Sequence, residues 1–278
     1  MEISQLEMAQ LCSAINKVSS YDFSNYSYKS FYRRIEKILV DNNITIPTLI
    51  EKIYLDYNYL ESIVREITVN TTEFFRDPIV WKNLYNYLPQ HFLENNSLKI
   101  WHAGCSNGLE VYSMLVLLNE LNLLDITSIY GSDINEEVLF TAQNGCYNYF
   151  DIQEYFPNFD KVFNENKDYT DEKYLNLEKY ITISVNKDIV KMKHFLVEKP
   201  IFVKHNLISQ ENIFNTKFDI IMCRNLLIYF NRDLQLQILD FFYSMLETGG
   251  ILVVGCQESL YGQVADKFIK HDTIYIKK

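Results

Sequence analysis

The sequence predicts a doubly wound α/β fold: a seven-stranded, mostly parallel sheet, preceded by a small all-α domain and interrupted by an inserted β-subdomain. Three observations predict it. From residue 98 onward, apolar strand-like runs alternate with helical periods. A small-residue turn, Gly104-Cys105-Ser106-Asn107-Gly108, joins the first of these runs to a helix. Residues 1–69 carry helical spacing without strand alternation. The expected division is therefore a helical domain at 1–69 and a sheet domain at 70–278, with an irregular or β insertion at about 146–200.

Four helices are expected first. Ile3, Leu6, Met8, Leu11 and Ile15 keep a 3–4 spacing, and Tyr28 to Val40 does the same through Phe31, Ile35, Ile38 and Leu39. Pro47 opens a third helix, and Tyr59 to Ile67 forms a fourth. The segment TVNTTEFFRDP, from Thr68 to Pro78, breaks the pattern before a helix from Ile79 to about Leu93. A strand at 98–103, a helix at 109–121 and a strand at 127–132 ending on Asp133 come next. A helix then runs from Asn135 to about Asn144, with Glu136 and Glu137 favouring its amino end. Residues 145–200 lose the rhythm, being rich in Tyr, Asn and Asp without helical period. Only Tyr180–Val185 and Ile189–Phe195 read as short antiparallel strands there. Alternation resumes with strands at Ile201–Lys204 and Phe218–Cys223, the latter as apolar as a central parallel strand should be. Asn231 caps a helix through Leu246, Gly249-Gly250 ends it, and Ile251–Gly255 is the next buried strand. Two β-prone pieces, around Phe268 and at Ile274–Ile276, close the sheet.

Bulk properties narrow the function. At 278 residues and 48% hydrophobic content, the chain can bury a large core. A net charge of −10 counts against a nucleic-acid partner, whose phosphates need Lys and Arg. The five cysteines are scattered without a CxxC pair, and the five histidines lack ligand spacing. No metal is expected, and the thiols read as buried and free in a reducing compartment. The amino terminus has no basic segment ahead of an apolar core, and no run of 18 apolar residues occurs. A cytoplasmic protein without membrane insertion is expected, with a monomer as default.

The glycine turn then selects a ligand class. A dinucleotide fingerprint needs G-x-G-x-x-G, and a phosphate-binding loop needs Gly-Lys-Ser/Thr; here Gly104 and Gly108 form G-x-x-x-G. Asp133 ends the second strand, where a carboxylate can accept from ribose hydroxyls, a role compatible with capping the next helix. A glycine turn plus a strand-end carboxylate, without phosphate chemistry, describes a site for S-adenosylmethionine (SAM). Arg224, Asn225 and Tyr229 follow the apolar strand and face the crevice at its carboxyl end. Asn70, Thr72 and Arg76 lie between the two domains, where clefts commonly bind ligands. Arg76 offers a fork suited to a carboxylate, or to an inter-domain ion pair. On the second helix Lys29, Arg33 and Lys37 recur every four residues, widened by Arg34, as either a solvated face or a docking stripe.

Six stretches then carry a resemblance: NTTEFFRDP (Asn70–Pro78), GCSNGLEVYS (Gly104–Ser113), SDINEEVLFTAQNGCY (Ser132–Tyr147), HNLI (His205–Ile208), FDIIMCRNLLIYFN (Phe218–Asn231) and the run from Gly249 to Ser259. In this order they resemble the CheR-type chemotaxis-receptor protein-glutamate methyltransferases. The resemblance implies a class I SAM-methyltransferase sheet and an enzyme forming glutamate γ-methyl esters on the cytoplasmic helices of chemoreceptors, with S-adenosylhomocysteine as product. It implies cofactor contacts at Asn70, Thr72, Arg76, Glu110, Asp133, Asn206, Leu207, Arg224 and Asn225, with Tyr229 beside the transferred methyl; Arg76 and Tyr229 are expected to position the reacting groups. It also implies that Lys29, Arg33, Arg34 and Lys37 dock an acidic receptor helix. Asn107, Leu109 and Val111 depart from the family's usual turn, and Cys256-Gln257 from its later Gly-His-Ser-Glu run. The 146–200 region occupies the place of a small β-subdomain that binds a receptor tail peptide in some members. Two other readings fit the same residues: a methyltransferase of another protein or small molecule, and a non-catalytic SAM-binding module.

Overall fold

A computed structural model describes residues 3–19, 21–68, 71–92 and 96–278. Local sequence sets the ends of the first four helices. Ser4 and Glu7 form a reciprocal capping box that starts α1 (Gln5–Val18). The second helix, α2 (Tyr28–Asn42), stops where Asn43 turns left-handed, at φ 50°. Pro47 sits in the first turn of α3 (Ile46–Leu55), and the Asp56 carboxylate accepts from Asn58 N at 2.8 Å to cap α4 (Tyr57–Ile67). Leu11, Ile15, Ile35, Leu49 and Leu60 are fully buried in a core of their own. Leu6, which spacing places on the apolar face, is exposed. It lies five residues from Leu11, about 140° round the helix, so it cannot share that face.

After α5 (Pro78–Phe92) the sheet region follows. In chain order its elements are β1 (Leu98–Ala103), α6 (Leu109–Glu120), β2 (Thr127–Asp133), α7 (Glu136–Asn144), β3 (Cys146–Tyr147), α8 (Tyr149–Ile152) and α9 (Phe156–Phe163). Then come β4 (Ile181–Ser184), β5 (Ile189–Met192), α10 (His194–Val197), β6 (Pro200–Lys204), β7 (Phe218–Cys223), α11 (Arg232–Met245), β8 (Leu246–Val254), α12 (Gly262–Ala265), β9 (Phe268–His271) and β10 (Ile274–Lys277). The main sheet runs β6-β2-β1-β7-β8-β10-β9, parallel except for β10, which pairs antiparallel with both β8 and β9. Register is set by ladders such as Leu98↔Thr127 to Ala103↔Ser132 and Ile100↔Ile220. The order of winding reverses between β1 and β7, so a crevice opens at their carboxyl ends. Asp219, the polar member of β7, is accommodated because its carboxylate accepts from Lys99 N at 2.8 Å.

Three expectations need correction. The stretch expected to lack helical period contains α8 and α9; α9 buries Phe159 and Phe163, with Phe75 5.4 Å from the Phe163 ring. Eight residues opened by Pro157 are too short for periodicity to be read. Its strands form a separate antiparallel sheet, β3-β5-β4. The Gly249-Gly250 pair does not end α11, which stops at Met245. Instead Phe218 pairs with Leu246 and Ile220 with Ile251, so residues 247–250 bulge out of the β8 ladder, with Gly249 at φ 77°. Finally, the five cysteines are free, but only Cys105 and Cys223 are buried; Cys12 and Cys146 are half-buried and Cys256 is exposed.

The helical bundle is tied to the sheet beside β7. Ser27 N donates to Tyr229 O at 2.7 Å, Asn231 N donates to Asn25 O at 2.8 Å, and the Tyr26 and Phe230 rings meet edge to face at 5.3 Å. Arg65 pairs with Glu137 of α7 at 2.5 Å. Among the described residues no helix is long and apolar enough to cross a membrane.

Candidate functional site

A cleft opens over the carboxyl ends of β1, β2 and β7, roofed by the helical bundle. Thr72, Arg76, Glu110, Asp133, Arg224, Asn225 and Tyr229, each expected from the sequence, line one lobe. Asn206 and Leu207, also expected, line a second lobe with Asp133. Both lobes share Tyr26, Gly104, Asp133, Ile134 and Leu226, so they form one continuous site. Asn70 lies outside the described residues. Lys29, Arg33 and Lys37 are exposed along α2 and Arg34 is half-buried; none is in an ion pair among the described residues.

The glycine turn owes its shape to the protein's own packing. Gly104 and Gly108 adopt φ 75° and 86°, conformations that side chains rarely accept. A Cβ on Gly104 would lie 2.7 Å from Leu226 Cδ2, and one on Gly108 would lie 2.8 Å from Ala142 Cβ. The turn therefore nests against β7's following loop and against α7, which brings the amino end of α6 to the cleft.

Asp133 staples that turn. Its Oδ2 accepts from Ser106 N at 2.9 Å and its Oδ1 from Asn135 N at 3.0 Å, while the N-cap of α7 is Asn135 itself. Burial pushes the Asp133 carboxyl above its usual range, opposed by the N–H groups of Asn135, Ser106 and Ile134. With main-chain N–H groups on both of its oxygens, the carboxylate still borders the cleft, where a remaining acceptor position can face a ligand.

Arg224 turns inward. Its side chain is fully buried: Nη2 donates to Arg76 O at 2.9 Å and pairs with Asp77 Oδ2 at 2.8 Å, and Nη1 meets Glu110 Oε2 at 3.2 Å. It also lies over the Trp81 ring at 5.7 Å. Only its buried Nε lacks a hydrogen-bond partner among the described residues. Arg224 thereby locks the 71–77 segment to α6. Burial raises the Glu110 carboxyl, but the His102 hydrogen bond and the Arg224 charge outweigh it and hold Glu110 below the usual range. The His102 bond comes from β1, Nδ1 donating to Glu110 Oε1 at 2.9 Å.

Arg76 is less constrained. Its nearest acid is Glu73 Oε1 at 3.8 Å, three residues away, so its fork is not consumed by an inter-domain bridge. Asn206 caps a short turn, its side-chain oxygen accepting from Ile208 N at 3.2 Å. Tyr26 and His102 were not singled out by sequence. Tyr26 sits between two helices in an unremarkable polar run, and only the docking of the bundle brings it to the cleft. Burial, then the nearby Asp133 and Tyr229, raise its hydroxyl pKa. No cluster of His, Cys, Asp or Glu among the described residues could hold a metal ion.

Comparison with known proteins gives a consistent picture. Residues 70–276 match the family model described as "CheR methyltransferase, SAM binding domain". The chain is 34% identical over 265 residues to the Pseudomonas putida protein named "Putative methyltransferase Cher3", covering 95% of this chain and 92% of that one. It is 29% identical over 253 residues to the chemotaxis protein methyltransferase of Borreliella burgdorferi, covering 82% of each. Against chemotaxis protein methyltransferase 1 of Vibrio cholerae the identity is 31% over 212 residues, 74% of this chain and 70% of the relative.

Proposed function

The chain belongs to the CheR methyltransferase family, with SAM as its cofactor, and on that premise we propose that it forms glutamate γ-methyl esters on acidic helices of chemoreceptor cytoplasmic domains. One observation carries the reading: Arg76, Asp133, Asn225 and Tyr229 line a single cleft, and the exposed basic face of α2 begins two residues from Ser27, which bonds the Tyr229 main chain.

The cleft fits SAM. Asp133 keeps acceptor positions for the ribose hydroxyls, and the second lobe supplies Asn206, Leu207, Ile134 and Leu226 around an adenine. Arg224, Glu110, Thr72 and Asn225, which line the first lobe, would hold the methionyl end. SAM supplies a methyl made electrophilic by its sulfonium. The protein's work is positional. A glutamate carboxylate is ionised near pH 7, so no general base is required. Arg76 aligns a carboxylate, the cofactor's or the substrate's, and Tyr229 sets the line of approach, while Tyr26 and Leu226 keep water off the path. Lys29, Arg33, Arg34 and Lys37 attract the acidic helix. Residues 146–200, whose small sheet leaves β4 with a free edge, offer a second contact for the receptor.

The test is transfer of labelled methyl from SAM to candidate receptor cytoplasmic domains. The expected product releases methanol under base. A base-stable label, or SAM binding without transfer, would overturn the assignment in favour of another substrate or a binding module. At saturating SAM, Arg76→Ala and Tyr229→Phe should each lower the rate by about 100-fold, as misalignment at a reacting centre does. Full activity in both would remove them from the site.

A further inference from the structure

Glu258 is a half-buried carboxylate that neither lobe contains, yet it touches the turn on which one side of the cleft is built. Its Oε2 accepts from Gly255 N at 2.6 Å and Asn225 N at 2.8 Å, and its Oε1 accepts from Ile228 N at 3.2 Å. Those donors belong to two segments, the end of β8 and the loop after β7. Asn225 stands at φ 58°, a conformation that only a well-determined surrounding maintains in a residue with a side chain. Gly255 has no room for a side chain: a Cβ there would lie 2.7 Å from Glu258 Oε2 and 2.8 Å from Asn225 N. The loop thus closes over the carboxylate as successive main-chain N–H groups close over a bound anion. Four residues after Asn225, the same loop presents the Tyr229 side chain to the cleft.

We propose that Glu258 is the positioning residue of the 224–230 turn, acting as its built-in anion and thereby fixing where Asn225 and Tyr229 stand. The placement has a second effect specific to this chemistry. The substrate's reacting group is itself a carboxylate, and a nest of unpaired N–H groups beside the cleft would compete for it. With Glu258 in place the nest is already filled. Burial pushes the Glu258 carboxyl above its usual range, and the main-chain N–H groups of Gly255, Asn225, Ile228 and Leu227 work against that shift by favouring the charged form. This inference rests on the assignment of Tyr229 above.

The experiment compares Glu258→Gln and Glu258→Ala in the full chain. In Glu258→Gln the amide directs N–H groups at main-chain donors, so kcat should fall by about 10- to 100-fold, with SAM affinity changing less than kcat. In Glu258→Ala the same loss is expected, and added formate should restore part of it by occupying the nest. Formate should not rescue the Gln variant, whose side chain fills the space. Hydrogen exchange at the amides of 225–228 gives a readout that needs no substrate: faster in both variants, and slowed again by formate in Glu258→Ala only. Wild-type exchange rates in Glu258→Ala, or an unchanged kcat, would overturn the proposal. So would equal loss of protection across β1 and β2, which would make Glu258 a folding residue. If the wild-type chain transfers no methyl to a receptor domain, the substrate assignment fails, while the exchange data still decide the role of Glu258.

Discussion

Asp133 holds a main-chain turn and a prospective ligand with one carboxylate; both tasks use its ionised form, while burial favours the protonated one. Its pKa is raised by burial, so the folded chain disfavours its charge. The stability contribution of this group is therefore fullest when it is protonated and is lost as pH rises through the raised pKa. Ribose recognition uses the ionised acceptor, so SAM affinity is full above that pKa and declines as pH falls through it. Calorimetric titrations between about pH 7 and pH 4 should show SAM affinity falling above the usual Asp range near 3.9. Asp133→Asn should bind weakly throughout and lose that acid dependence. Glu110 contributes the opposite sign: with a lowered pKa its tie to His102 and Arg224 stabilises the fold above the ordinary carboxyl pKa and fails only at lower pH. Asp133 and Glu110 were legible in the sequence because each sits at a fixed offset from a strand end or a glycine turn. Their partners were not. His102 reads as part of an apolar strand, and its bond to Glu110 exists only once β1 and α6 are packed.

Among the elements, the helix starts at Pro47 and Asn231 were legible in the sequence, because each residue acts on backbone within a few positions of itself. The inserted region was the least legible. There α9 is stabilised by Phe159 and Phe163 packing on Phe75, a contact across more than eighty positions of sequence. The glycine pair in β8 misled for a related reason: a bulge against β7 and a helix stop call for the same residue type. The basic face of α2 is an element-scale feature with an element-scale test. Exposed charges are each worth about 1 kcal/mol or less and are screened by salt. Reversing Lys29 and Arg33 to Glu together should raise KM for an acidic receptor domain by about ten-fold at low ionic strength. The difference should shrink in high salt, and SAM affinity should stay as it was. A KM indifferent to both reversal and salt would move the docking surface elsewhere.

For the whole molecule, the cleft proposed for SAM is not the property of the sheet alone. Tyr26, Ile67 and Thr68 come from the bundle and line the same lobe as Asp133 and Tyr229. Residues 71–278 produced without the bundle should therefore bind SAM at least ten-fold more weakly than the full chain, since burying one large side chain is worth about 1.5–3 kcal/mol. Calorimetry on the two forms measures it, and equal affinity would show the bundle to be a docking module only. The sequence suggested two regions but carried no sign that one would wall the other's site, because Tyr26 reaches the cleft through tertiary packing alone.

The hydrogen bond from Ser27 to Tyr229 has a thermodynamic consequence. It places the start of α2 and the 224–230 turn in one mechanical unit, with Tyr26 between them in the wall of the cleft. If an acidic helix seated on α2 draws that unit closed, it raises the affinity for SAM, and linkage then requires SAM to raise the affinity for the helix by the same factor. S-adenosylhomocysteine, which lacks the methyl but keeps every other contact, would hold the methylated helix on the enzyme as well. Turnover would then be paced by how product release is ordered, and measuring each ligand's affinity in the presence of the other gives the coupling directly.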